Sequence, residues 1–427
     1  MKEDFLHYVW KFQKFNHQNL FTTSGEPLSI VNQGFYLKTS GPDFFNAKIR
    51  IGQQLWVGNV EIHLKSSDWY LHRHEQDAKY KNVILHVVWH YDYDIFLENN
   101  ATIPVLELQG RVSATLLHSY QNLLQSKTWI YCEKLISSVP VELVHTFLER
   151  LFIERAERKA MSITELFRSQ NGDWEATLFV ALAKAFGLNS NAIAFEQMAQ
   201  RVGFKAVIKE SANLIGLEAL FLGSCQLLEA EHQDYYVQQL QAEFGFLKIK
   251  YQVSTELLHP VEFFKLRPEN FPTIRLVQLA AFYHQSPYKF EKLLQATNQK
   301  QLSQIFQGGV SAYWQTHYIP DKATRASPKH LSQSFVDLLV INTIIPFLFA
   351  YYNENGQTRS DFLIDLAVEI KPENNTIIKR FSDLDLNAKS AFESQALLEL
   401  KQQYCEKGRC MNCSIGVHLL SKSEKSA

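Results

Sequence analysis

The sequence predicts an α+β protein: a small N-terminal α/β domain over residues 1–111, a larger mainly α-helical region over 112–419 ending in a cysteine cluster, and a disordered polar tail over 420–427. Two observations predict it. Between about 26 and 110 the chain breaks into short runs rich in β-branched and aromatic residues, FFNAKIRI, LWVGNVEIHL, NVILHVVWHY and ATIPVLELQ, divided by Gly, Asn, Ser and Asp clusters, as strands and turns are. Beyond about 112 those signals largely stop, and apolar residues recur every three to four positions. With 427 residues, 46% of them apolar and 13% aromatic, the chain has material for more than one core.

In order along the chain, Phe5, Tyr8, Val9, Phe12 and Phe15 mark an opening helix within residues 1–20. The strand runs follow. Between the second and third of them, SSDWYLHRHEQDAKYK opens on Ser and Asp, which cap a short helix or order a loop. VELVHTFLERLFIERAERKAMSITELF, DWEATLFVALAKAFG and ANLIGLEALFLGSCQLLEAEHQDYYVQQLQAEF then read as helices. Gly187, Pro260, Pro268 and Pro272 mark helix ends and a connection over about 255–273. FVDLLVINTIIPFLFAYY, at 335–352, contains Asp337, Asn342 and Pro346 and is read as a buried helix rather than a bilayer span, so no membrane partner is expected.

Charge and motifs narrow the function classes. Lys and Arg number 43 against 44 Asp and Glu, so a nucleic-acid partner has to be met by a local patch and not by a global field. The opening MKEDFLHYVWKFQKFN lacks the unbroken apolar core of a signal peptide, which makes the cytoplasm the expected location. No phosphate-binding G-x-x-x-x-G-K-[ST], dinucleotide-binding G-x-G-x-x-G or nucleophile-elbow G-x-S-x-G occurs, leaving NTP hydrolysis, dinucleotide redox chemistry and serine hydrolysis without support.

The stretch GPDFFNAKIRIGQQLWVGNVEIHLKSSDW, 41–69, carries the chemistry. On a strand Glu61, His63 and Lys65 share one face, successive members about 6.6 Å apart, while Val60, Ile62 and Leu64 form the other. Two carboxylates on adjacent strands can hold Mg²⁺ or Mn²⁺, and an imidazole beside them can complete the metal shell or take a proton from water. Register decides whether Asp43 joins. A two-residue turn at Gly52 and Gln53 alone puts Asp43 opposite Ile62, on the apolar face, whereas a wider turn or one bulge brings it opposite Glu61 or His63. Gly58 is the expected place for that bulge. Otherwise the hairpin is an ordinary one with a wet polar face.

Five of the fifteen histidines fall between 63 and 90, at 63, 72, 74, 86 and 90. His72, His74 and Asp77 in HRHEQD are candidate phosphate contacts or metal ligands, and His86, inside an apolar strand, needs a polar partner whether it serves a site or a core. GPDF, GNVEIH, SSDW, HRH, Tyr80 and NVILHVVW, with RPENFPTIRLVQLA, INTIIPFLFAYY and SQALLELKQQYCEKGRCMNCSIG further on, resemble an uncharacterised bacterial family of unknown function over nearly the whole chain. Over about 50 residues, Pro42, Asp43 and Glu61 also resemble the hairpin of the PD-(D/E)XK nuclease superfamily. That resemblance implies a restriction-endonuclease-like N-terminal domain, with Asp43 and Glu61 on Mg²⁺ or Mn²⁺ and a lysine two positions after the glutamate. His63 stands at the lysine position here. Imidazole takes that role, Lys65 reaches in from the same face, or the site has lost activity.

Five cysteines, at 132, 225, 405, 410 and 413, without an export signal argue for reduced thiols or metal ligands. YCEKGRCMNCSIGVHLL is a C-x4-C-x2-C cluster, with His418 five positions on. A closed Zn²⁺ site needs a fourth ligand, from His418 or Cys132; three close cysteines plus a distant one also resemble the iron-sulfur arrangement of some nucleases. Zinc is the favoured reading because Cys405, Cys410, Cys413 and His418 form a complete local set. RPENFPTIR offers Arg267, Asn270 and Arg275 either to phosphate or to helix locking, and Trp314, His317 and Tyr318 read as packing.

The expected function is a metal-dependent phosphodiesterase acting on DNA or RNA, with Asp43, Glu61, His63 and Lys65 catalytic and His72, His74, Asp77 and His86 placing the substrate. Two alternatives stand beside it: a cupin-like metal enzyme built on the His-rich segment 63–90, and an inactive nuclease-like module that binds nucleic acid or protein.

Overall fold

A computed structural model describes residues 1–36, 41–96, 102–125, 128–255, 259–357 and 359–425. The protein is a mixed α+β chain in which an N-terminal sheet is followed by a mainly helical region. It divides into two compact units, one of Met1–Leu148 with Arg380–Leu386 and Leu398–Ala427, the other of Glu149–Lys379 with Asn387–Leu397. The change from strand to helix near residue 111 marks a change of element type, and the first unit continues past it to Leu148 and takes back two C-terminal pieces.

The first unit opens with α1, Glu3–Lys11, which buries Phe5, Leu6, Tyr8, Val9 and Trp10 and carries Glu3 and Asp4 in its first turn, where the helix dipole favours acids. Each fully buried large side chain of this kind contributes about 1.5–3 kcal/mol. Six strands follow: β1 Leu28–Asn32, β2 Phe35–Tyr36, β3 Phe44–Ile51, β4 Gln54–Lys65, β5 Val83–His90 and β6 Val105–Glu107. The sheet order is β1-β3-β4-β5-β6, with β2 on β3. β1, β3 and β4 are antiparallel neighbours, while β4, β5 and β6 run parallel. β4 is therefore the strand at which the sheet changes sense. One face packs Phe44, Ile49, Val60, Ile62, Leu85 and Val87 against α1 and against Leu116 and Tyr120 of α3, Ala114–Gln125; Met411 and Leu420 complete this core. Leu420 belongs to a helix, Ser414–Lys425, which runs into the stretch expected to be a disordered tail; 426 and 427 lie outside the described residues.

The hairpin turns at two residues, Gly52 and Gln53, with Ile51 paired to Gln54 and Gly52 at φ 58°. Pairing continues to Ala47 opposite Gly58 and resumes with Phe44 opposite Val60, so Phe45 and Asn46 together face Asn59. This is a β-bulge, and Asn46, at φ 54°, adopts the left-handed conformation that asparagine tolerates. The extra residue thus lies on β3 and not at Gly58. Gly58 serves another end: a Cβ there would sit 2.4 Å from Ile84 Cγ2 and 2.7 Å from the Asn82 carbonyl, so only glycine lets β5 approach this closely. One step beyond Phe44, the corrected register sets Asp43 opposite Glu61.

The second unit is helical and is held by satisfied buried polar groups as well as apolar packing. Leu214–Ser224 is buried along its length, and its Glu218 carboxylate accepts from Tyr236 Oη (2.7 Å) and Trp314 Nε1 (2.8 Å). The apolar run at 335–352 lies within Gln333–Glu354, which is long and apolar enough to cross a membrane but is 72% buried in this unit. It widens into a π-turn at Val340–Ile344, just before Pro346, whose ring has no N–H to give to a tighter turn. Asn342 in that turn accepts from Lys159 and donates to Glu373. Arg275 bonds Asn270 and Gln278 and stacks on Phe335, and so holds helices together; the connection before it includes 256–258, outside the described residues.

A candidate metal centre on the central strand

At Glu61 and His63 the polar face of β4 is buried, not wet: Glu61 is 5% exposed, His63 1% and, beside them on β5, His86 0%. The covering layer is the segment between β4 and β5, which folds as α2, Asp68–Leu71, and two single 3₁₀ turns, His74–Gln76 and Ala78–Tyr80. Trp69 and Tyr80 form a small apolar cluster with Val83, Ile95 and Ile103, which seats this segment over the strand. Arg73, at φ 59°, reverses the chain between His72 and His74, whose rings lie 4.9 and 5.2 Å from that of His63, the first of them solvent-exposed and the second half-buried.

Four donor groups converge. His63 Nε2 is 3.0 Å from His72 Nδ1 and 3.6 Å from Glu61 Oε1, and His74 Nε2 is 3.3 Å from the same oxygen. Among the described residues, His63, His72 and His74 form the group of metal-ligating side chains whose donor atoms all lie within 4.8 Å of one another. On its other nitrogen His63 meets His86, Nδ1 to Nε2, at 2.8 Å. A proton on His63 Nδ1 leaves the Nε2 lone pair facing the other donors, the outer-shell arrangement that orients ligating histidines. Asp43 closes the second side: its amide donates to Glu61 Oε2 at 3.1 Å, its carboxylate accepts from the Ile62 amide at 3.0 Å, and His7 Nε2 of α1 stands 3.2 Å from Oδ2.

Burial, and then the Asp43 charge, push the Glu61 carboxyl up to about 9. Burial and the neighbouring imidazoles, His86 foremost, push His63 down to about 2, and burial takes His86 to about 3 and lowers His74. His7 goes the other way, because its closeness to the charged Asp43 carboxylate outweighs burial and raises its pKa. A neutral imidazole is the form in which histidine can ligate a metal, and a cation beside Glu61 would favour its ionised form. Three buried atoms facing this layer, His74 Nε2, His86 Nδ1 and Trp69 Nε1, have no hydrogen-bond partner among the described residues. His74 Nε2 is near Glu61 in distance without the angle of a hydrogen bond.

Of the residues singled out in the sequence, Asp43, Glu61, His63, His72, His74 and His86 come together here. Lys65 does not: it is exposed, its amide donates to Asp68 and its charge lies near Asp92. Asp77 is exposed and caps the turn at Ala78–Tyr80, and His90 pairs outward with Glu107 and Gln109. His7, with Glu3 one turn before it, is an addition from α1 that the strand patterns could not disclose. Its only signal is that both fall on the polar side of the helix opposite Phe5, Tyr8 and Val9. Elsewhere in this unit Cys132, Cys405, Cys410 and Cys413 line one cavity, and His418 is not among its lining residues.

Neither curated proteins nor solved structures give a match to the chain. A family model described as "Protein of unknown function (DUF2851)" matches residues 3–376, a span that contains the whole candidate centre and Cys132 but stops short of the three clustered cysteines. By that match over most of its length, the chain belongs to the DUF2851 family of proteins of unknown function.

Proposed function

We propose that the chain is a metal-dependent phosphodiesterase acting on nucleic acid. The observation that carries this reading is the convergence of Glu61 with His63, His72 and His74 beside Asp43, on the strand where the sheet changes from antiparallel to parallel. An antiparallel hairpin bearing two acids and followed by a parallel strand is also what the PD-(D/E)XK resemblance leads one to expect. His63 occupies its lysine position as a neutral imidazole and is assigned to the metal shell, since Lys65 lies elsewhere.

A donor set of three imidazoles and one carboxylate favours Mn²⁺ or another transition metal over Mg²⁺, which prefers oxygen. Held by these residues, such an ion would supply Lewis-acid polarisation of a phosphoryl oxygen and a nucleophile near neutral pH. Asp43 holds His7 beside the site with its pKa raised, so His7 is the group able to arrive protonated and give its proton to the leaving oxygen. A cupin-like enzyme would want a similar donor set, but within an antiparallel double sheet, whereas β4, β5 and β6 are parallel.

The test is cleavage of single- and double-stranded DNA and RNA by the full chain with Mn²⁺, Mg²⁺ or chelator. The expected result is Mn²⁺-stimulated cleavage that falls by roughly 10²–10⁴-fold in both Glu61→Gln and His74→Ala. No cleavage of any of these substrates, with wild type and variants alike, removes the phosphodiesterase reading. Nucleic-acid binding unaffected by chelator would then point to the inactive module.

A further inference from the structure

We propose that Cys132, Cys405, Cys410 and Cys413 together ligate one [4Fe-4S] cluster, at a site separate from the centre on β4. None of the four is in a disulfide, and all four line one small cavity of about 20 Å³. The rest of its wall is mainly apolar, from Ile130, Ile136, Leu400 and Ile415 among others, with Arg409 as its charged member.

The backbone around the cavity is arranged to bring the sulfurs there. Cys132 lies in a turn whose carbonyl accepts from the amides of Leu135 and Ile136. Cys405 ends a π-turn, Leu400–Cys405; Gly408, at φ 63°, reverses the chain, and Cys410 opens the 3₁₀ turn Cys410–Asn412 that Cys413 closes. A Cβ on Gly416 would lie 2.2 Å from the Cys410 carbonyl, so the cysteine loop rests directly on the first turn of Ser414–Lys425. Nothing in apolar packing requires four thiols from two distant segments around one void.

Spacing selects the occupant. Tetrahedral zinc draws its four sulfurs to about 3.8 Å from one another, given Zn–S bonds of about 2.3 Å. Among the described residues no three of these thiols lie within 4.8 Å of each other, because only the His63, His72 and His74 group meets that spacing. A cubane places iron and sulfide between the thiolates and holds them further apart. The thiolate-bound cluster is an anion, and Arg409 at the wall, Lys401 near Cys405 and Lys2 near Cys410 supply positive charge. Each thiol gives its proton to solvent as it binds an iron of an assembled cluster, a ligand exchange that leaves the iron oxidation states unchanged.

The experiment is anaerobic purification of the full chain, with iron, acid-labile sulfide and zinc measured per chain alongside the visible absorption spectrum. About four irons and four sulfides are expected, lost in Cys132→Ser and in Cys410→Ser, and retained in His418→Ala and Cys225→Ser. Should the serine variants fail to fold, metal-stripped wild type that remains folded by circular dichroism is supplied anaerobically with equal Fe²⁺ and Fe³⁺ and with sulfide, and uptake of both iron and sulfide is expected. One zinc without sulfide, no uptake by folded protein, or a cluster that survives Cys132→Ser overturns the assignment.

Discussion

Glu218 shows what a single buried acid costs a helical core. It is fully buried, Oε1 has no hydrogen-bond partner among the described residues, and burial raises its pKa to about 7 despite the bonds from Tyr236 and Trp314. The folded pKa lies above the ordinary 4.5, so the folded state holds its proton longer. Its stabilising share is complete below about pH 4.5, declines as the unfolded chain ionises, and is gone above about pH 7, a loss on the order of 3 kcal/mol. Glu218→Gln keeps an acceptor for Trp314 and cannot ionise. Urea unfolding at pH 5 and pH 8 is expected to show the variant gaining on wild type at the higher pH; an equal difference at both would refute the account. Residue types alone disclosed much of the candidate metal centre, because acids at Glu-x-His spacing and crowded histidines are visible without a fold. His7 was invisible because its partner Asp43 lies 36 positions away, and only the seating of α1 against β4 joins them.

Among elements, the β3-β4 hairpin is the one whose details decide chemistry. Alternation along the strands was legible, and so was the need for an odd residue somewhere. Which strand carried it was not, since period-two patterning registers a phase change without saying whether a glycine or an asparagine makes it. The two hairpin glycines separate by experiment. Gly52→Ala puts a side chain into a left-handed turn with open space around it and is expected to cost about 1–2 kcal/mol with metal affinity intact. Gly58→Ala drives a methyl into the Asn82 carbonyl and Ile84, next to the bulge. It is expected to destabilise by about 1–3 kcal/mol and also to weaken Mn²⁺ binding, measured by calorimetry. Equal metal affinity in the two variants would separate strand spacing from the site.

At the scale of the molecule, the α+β composition and the order of sheet before helices could be read from local patterns, because each element announces its own period. Closure of the first unit by Leu398–Ala427 could not, since Met411 and Leu420 look like any other apolar residues until the core they fill is known. For the same reason the fourth companion of the C-terminal cysteines was open between His418 and Cys132. A chain ending at Leu397 is expected to lose protection in residues 1–148 by hydrogen exchange, well beyond the local loss of a tail. Unchanged protection there would show that the sheet is stable without its C-terminal pieces.

That closure also sets a schedule. Residues 1–125 carry the six strands of the sheet and the ligands of the candidate centre, yet Leu420 emerges some 300 positions later, roughly 15–60 s at ordinary rates of synthesis. Through that interval the nascent sheet lacks part of its core, and the intervening helical unit, complete in its own contacts except for Asn387–Leu397, is free to form first. The centre is thus translated early and finished late, with its final assembly held until nearly the whole chain has been made.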